Sequence, residues 1–508
     1  MDLWVAQSRR LDPSGPHGGG EDEANYALSW FPHFLVTGSN EVRDHFYELM
    51  NDLTAWVERD CHHGYEAVAE AHHGIEPFLL FLPRYAALFP EDKRSARLLE
   101  DAAHHFGNWV PDIPDWYDYN RDRFVGYHLG TRVVKGDNYE LAEHFRFIHV
   151  ALAAYRATKQ ERFLEWALRY GLRRARDIIA APFGPLPLMW GPNEEPLWES
   201  DLTQNIQKTM AAATHHVQGD PLGGVENMLA SGAVQAFGDL FLISGDSVFK
   251  DAARRIVDPL IGELLDPYAD PAAAAMLYYR RAFQDNALDE RLKQQVNAIP
   301  REKVGDKGDY VLLAPETHAR ILPGVGKRMD MLFWSRARSD GSVTPSLEPC
   351  TAALTLAYHL TGDEKFAARA LEQAARKLKI ACRILRGGRE HADMGGSVAA
   401  VAAGHGRNWG AGAVTGCYGT LVLGAWDVQG ALRPAIEVRG ADGTPGLPSE
   451  IFTLVLPRML NASGHVTFYN GGEVTANVSW RMEGGSWGEL ALKPSEALRM
   501  ELPSKTML

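Results

Sequence analysis

Cysteine is scarce in this chain: four residues in 508, Cys61, Cys350, Cys382 and Cys417, far apart and without a CxxC pair. That excludes a disulfide framework and a zinc-knuckle arrangement, and it suits a reducing compartment. Positive charge is also in deficit. A formal net charge of −13 argues against general nucleic-acid binding, which needs a basic footprint, although an anionic ligand in a locally basic cleft stays compatible with it. No apolar run approaches the ~20 residues of a membrane span. No apolar h-region follows the arginines of the first residues, so no signal peptide is expected. Cytoplasm is the expected compartment, and a trimmed secretion signal would leave the same sequence. Also missing are GxSxG, a P-loop, GxGxxG and HEXXH-type spacing, which removes the readiest routes to a serine hydrolase, a nucleotide enzyme or a zinc protease.

What the chain does contain is a helical hairpin repeated in degenerate form. Its clearest copies are LISGDSVFKDAARRI (242–256) and LTGDEKFAARALEQA (360–374), with weaker ones at 35–49, 88–102 and 156–170. In each, an apolar helix ends at a short polar turn and an amphipathic helix follows. The first helices are apolar nearly all round, at 25–36, 74–88, 139–155, 225–243 and 350–360, with a further one expected at 413–428. A helix apolar all round is buried and a one-sided helix lies outside, so inner and outer helices are predicted to alternate. Such units cannot bury an apolar face alone, and repetition implies stacking. After Pro434 the texture changes to short β-branched runs separated by GADGTPG, NASG, NGGE and EGGS turns. These predict a small antiparallel, sandwich-like β-domain at 431–508 behind a helical body at 23–430, with a flexible Gly/Pro-rich arm at 1–22.

Long connections between hairpins are expected to share one rim and to hold the chemistry: 59–74, 111–138, 182–224, 285–349 and 386–412. Histidine pairs occur at 62–63, 72–73, 104–105 and 215–216. As metal ligands they look unfavourable, because adjacent histidines point in different directions, so no metal or cofactor is expected, with zinc or calcium as alternatives. One histidine of each pair packing while the other is exposed accounts for most of them. Read functionally, His72, His73, His215 and His216 become proton-transfer groups. Aromatic residues interleaved with polar ones include Trp116, Tyr117, Trp190, Trp334 and Trp409, which serve either as core or as flat platforms for sugar rings. Arg132, Arg146, Arg336 and Arg407, with Asn408, suit a carboxylate unless neighbouring acids neutralise them. Asp118, Glu195, Glu199 and Glu348 are the acids available for hydrolysis, which needs two carboxyls ~5–9.5 Å apart.

The alternating helices, the TGD-like turns and the terminal β-domain resemble the (α/α)6-toroid, or six-hairpin, carbohydrate-active enzymes over about residues 22–428. Lanthionine-cyclase-like and terpene-modifying toroids share the ring, but the zinc motif of the former is not present, since GCYG supplies only Cys417. The resemblance implies either a polysaccharide lyase or a glycoside hydrolase acting on acidic glycans. GYHLGTR (126–132), AEHFRF (142–147) and GHGRNW (404–409) favour the lyase, because β-elimination beside a uronic carboxylate needs His or Tyr for acid and base and Arg or Asn for the carboxylate. On this reading Tyr127, His128, His144 and His405 join the catalytic candidates, His144 having a buried structural role as its alternative. A hydrolase, a sugar epimerase or isomerase, and a non-catalytic glycan-binding toroid are the other readings. The expected partner is an acidic oligo- or polysaccharide, with no nucleic acid and no membrane; the sequence leaves the oligomeric state open.

Overall fold

The computed structural model describes residues 39–70, most of 78–204, 223–263 and 270–297, the strands at 309–313, 333–337 and 343–345, short pieces of 356–366, and most of 436–501. Helices dominate. In chain order they are α1 (Asn40–Asp60), α2 (Leu82–Leu88), α3 (Lys93–Ala103), α4 (Phe145–Thr158), α5 (Glu161–Ala180), α6 (Gly223–Ala230), α7 (Ala233–Ser244), α8 (Ser247–Val257), α9 (Asp270–Phe283) and α10 (Asp289–Asn297). None of the described helices is long and apolar enough to cross a membrane.

The helices sort into two rows as their patterns predict. Residues 150–154 of α4 are buried without a break, as are 233–238 of α7. On α5, burial falls instead on Phe163, Trp166, Ala167, Tyr170, Arg174 and Ile178, one stripe at helical spacing, and α8 buries only Phe249, Ala252, Ala253, Ile256 and Val257. Contacts agree: α2 packs on α4, α4 on α7 and α7 on α9, while α5 and α8 pack together on the outside. Two small-residue notches key the rows. A side chain at Gly171 of α5 would collide with Leu240 of α7, and one at Gly238 of α7 with Tyr278 of α9.

Three of the hairpin turns share one hydrogen-bonded design. Thr158 Oγ1 donates to the Ala154 carbonyl at 2.7 Å and accepts from the Gln160 N–H at 3.3 Å. Ser244 repeats this with Leu240 and Asp246, at 2.7 and 3.2 Å, and Thr361 with Ala357 and Asp363, at 2.7 and 3.2 Å. Between the hydroxyl and the residue whose N–H donates to it stand Lys159, Gly245 and Gly362, with φ of 61°, 73° and 70°. This left-handed residue ends the first helix. Asp246 and Asp363 then start the next by accepting from the Val248 and Lys365 N–H groups at 3.0 and 3.1 Å.

One hairpin was not anticipated by the sequence pattern. The pair α9 and α10 occupies 270–297, the second helix lying inside the segment assigned to the fourth long connection. The same connection also contributes the antiparallel strands Asp309–Leu313, Phe333–Ala337 and Val343–Pro345. The inner helices expected at 25–36 and 413–428 lie outside the described residues. Near the C-terminus, antiparallel strands form two three-stranded sheets: 436–440, 476–482 and 488–492 in one, and 451–456, 465–470 and 497–501 in the other. Buried Asn470 joins them, its amide donating to the Val474 and Leu492 carbonyls, both at 2.8 Å. Ile451, Val466, Phe468, Val478 and Leu492 belong to the same apolar cluster as the helices.

Candidate functional site

The long connections that follow α1, α3 and α5 come together. The connections are stitched to one another. Ala69 and Glu70 pair with Leu129 and His128, and the Arg132 N–H donates to the Ala67 carbonyl at 3.0 Å. Glu140 and Leu141 pair with Trp190 and Met189, which pair in turn with Pro196 and Leu197. Arg123 Nη1 reaches the Gly191 carbonyl at 2.9 Å, and Arg121 Nε reaches Glu194 Oε1 at 2.9 Å.

Two polar constellations sit in this layer. The first follows α1. His63 and Gly64 adopt φ of 50° and 83°, and His62 and Tyr65 exchange backbone hydrogen bonds at 2.9 and 3.1 Å around them. A turn with both central residues at positive φ folds the chain back sharply. Glycine does this freely and histidine at a cost, which marks position 63 for attention. The turn corrects the expectation that adjacent histidines diverge: the two imidazole centroids are 4.3 Å apart. His62 Nε2 lies 2.8 Å from Asp112 Oδ2, His63 Nε2 lies 3.8 Å from Asp112 Oδ1, and His63 Nδ1 lies 2.6 Å from Asp101 Oδ1. The hydrogen bond with His62 holds the Asp112 carboxyl below its ordinary range. Beneath the cluster His105 is fully buried, its ring 5.8 Å from that of His63 and 4.6 Å from those of Tyr65 and Trp116. Burial pushes His105 down to about 3, so it is a neutral packing ring.

The second constellation heads α4. Glu140 is completely buried and receives Arg173, the Tyr170 hydroxyl at 3.0 Å and Arg174 Nη1 at 3.1 Å. Burial alone would raise its carboxyl; Arg174 and Arg173 outweigh that and bring it down to about 2. The Arg174 guanidinium, itself buried, lies over Trp190 at 4.3 Å and Phe145 at 4.9 Å. His144 Nδ1 accepts from the Leu141 N–H at 3.0 Å, leaving Nε2 to donate to the Gly126 carbonyl at 3.1 Å. Both ring nitrogens thus serve the backbone, and burial lowers His144 to about 4. This is the buried structural role foreseen as its alternative.

The remaining expected site residues divide three ways. Trp116, Tyr117 and Trp190 are core side chains, Trp116 donating from Nε1 to the Gly130 carbonyl at 2.8 Å, so none offers an open platform. Arg146 is buried in the first turn of α4. Tyr127 is buried against Leu141, Leu188, Met189 and Leu202, and its ring centroid is 4.1 Å from that of half-buried His128. Arg132 is exposed. Asp118 Oδ1 accepts from the Asn120 N–H at 2.9 Å and Glu195 Oε2 from the Asn193 N–H at 2.8 Å, each inside its own turn. Glu199 is half-buried in a short 3-10 turn. Trp334 and Arg336 lie on the strand Phe333–Ala337. His72, His73, His215, His216, Glu348, His405, Arg407, Asn408 and Trp409 lie outside the described residues.

Sequence reasoning missed Glu140, Arg173, Arg174, Asp101 and Asp112 as site-forming groups. The RRAR run on an outer helix was the available signal, since Arg174 falls on the stripe that faces the core and Arg173 stands at its edge. Comparison with family models, with curated proteins and with solved structures finds no match to this chain.

Proposed function

We propose that the chain is a carbohydrate-active enzyme that cleaves uronate-containing oligo- or polysaccharides by β-elimination. The observation that carries the reading is the 126–132 loop, which gathers Tyr127, His128 and Arg132 on one short segment. Tyr127 is buried and packs its ring against His128, while His128 is partly accessible and Arg132 exposed. His128 is the base: it takes the C5 proton, the C5 electron pair becomes the C4–C5 double bond, and the C4–O bond breaks. Arg132 pairs with the uronic carboxylate, which acidifies C5. The departing oxygen takes a proton from a second acid, for which the sequence offers His72, His73, His215, His216 and His405. Tyr127 positions His128 and does not touch sugar. The hydrolase alternative is weakened because Asp118 and Glu195 are engaged in their own turns.

The test is incubation with a panel of uronate oligosaccharides, reading both ultraviolet absorbance of the conjugated C4–C5 double bond and new reducing ends. Both signals are expected, and His128→Ala should lower the rate by roughly 10²–10⁴-fold. Reducing ends without absorbance would move the assignment to a hydrolase. Neither signal on any glycan would leave the chain as a binder.

A further inference from the structure

The geometry points to a divalent metal site at the end of α1, formed by His62, His63 and Asp112 and independent of the reading above. One ligand atom from each residue lies within 4.8 Å of the others. The close pairs are 2.8 Å (His62 Nε2 to Asp112 Oδ2) and 3.8 Å (His63 Nε2 to Asp112 Oδ1). Bonds of ~2.0–2.1 Å to zinc put tetrahedral ligand atoms about 3.4 Å apart, so modest side-chain rotations close the triangle around an ion.

Three further features fit a metal better than a chance surface cluster. Asp101 engages His63 Nδ1 at 2.6 Å, which leaves Nε2 as the outward lone pair; a carboxylate behind a ligating imidazole is the usual means of fixing its tautomer and direction. The left-handed backbone at His63 holds both imidazoles of a neighbouring pair beside one carboxylate, and it does so in a conformation unfavourable to histidine. The charges also match: Asp112 in contact and Asp101 one bond behind neutralise a dication. Side-chain exposures of 52 % for His62, 55 % for Asp112 and 32 % for His63 leave an approach for the ion and room for a water in a fourth position. Two imidazoles and a carboxylate suit zinc or a similar first-row ion, and are too nitrogen-rich for magnesium or calcium. The ion would tie the first long connection to the second across 50 positions of sequence.

The experiment uses the full chain, stripped with a chelator and dialysed, then titrated with zinc against a chromophoric competitor and separately with cobalt. One equivalent of zinc is expected, with a visible cobalt band of a low-coordinate nitrogen–oxygen site. His62→Ala and Asp112→Ala should abolish that equivalent, and Asp101→Asn should weaken it by about 10–100-fold. Circular dichroism checks that each variant is folded. The paired variant His72→Ala/His73→Ala should bind zinc normally. Less than one equivalent in the folded wild type, undiminished binding in Asp112→Ala, or loss confined to the His72/His73 variant would each overturn the site.

Discussion

At the scale of single residues, the strongest constraint is the buried charge around Glu140. A carboxylate answered by Arg173, Arg174 and Tyr170 is costly to bury and costlier to break, because removing one partner strands the others. Glu140→Gln is expected to destabilise the fold by about 3–5 kcal/mol, measured by urea unfolding at neutral pH. The buried histidines set the acid limb. His144, lowered to about 4, and His105, lowered to about 3, fold neutral and take up protons on unfolding. Their contribution is therefore complete above pH 6.5 and is lost as pH falls toward those values; His104 and His149 shift the same way, both chiefly by burial. Glu140 adds a second loss below pH 4.5, reaching down to about 2. Asp177, pushed up to about 6 by burial, opposes the histidines but is one group against several. Urea unfolding between pH 7 and pH 4 should show falling stability; a flat or rising profile would contradict the neutral histidines.

At the scale of elements, the repeated turn is the unit of the fold. Its central residue must take positive φ, and glycine does so at Gly245 and Gly362 with open space around it. Gly362→Ala should cost about 1–2 kcal/mol through backbone conformation alone, with no clash to relieve. Lys159→Gly should raise the melting temperature, because lysine holds the same conformation less readily. The LISGDS and LTGDE strings made these turns legible before any coordinates, since hydroxyl and aspartate each make a bond now seen and glycine takes the positive φ between them. The pair α9 and α10 escaped notice for the complementary reason. Its turn is QDNALD, without hydroxyl or glycine, and the AAAA run of α9 carries little apolar contrast. The candidate site was less legible still. The 126–132 loop could be singled out by residue type, but the left-handed turn at His63 and the partners Asp101 and Asp112, 38 and 50 positions away from their histidines, depend on how the first connection lies against α3 and the second connection.

At the scale of the whole molecule, helices and C-terminal sheets share a core. Strand residues such as Val466, Phe468 and Leu492 fall in the same cluster as Phe46 and Phe237, and Arg499 Nη1 donates to the Gly362 carbonyl at 3.4 Å. Such continuity predicts a single cooperative transition, with near-ultraviolet and far-ultraviolet circular dichroism melting together. Two separated transitions would show that the sheets unfold on their own.

The glycine notches that receive Leu240 and Tyr278 have a consequence of another kind. Hairpins with nearly interchangeable turns invite docking out of order, as tandem units of similar sequence do. Gly171 makes room for the Leu240 side chain, and Gly238 for that of Tyr278. The notches are expected to favour docking of each newly closed hairpin beside its native neighbour, so that filling one, as in Gly238→Leu, should raise the fraction of swapped or aggregated chains read by size-exclusion chromatography.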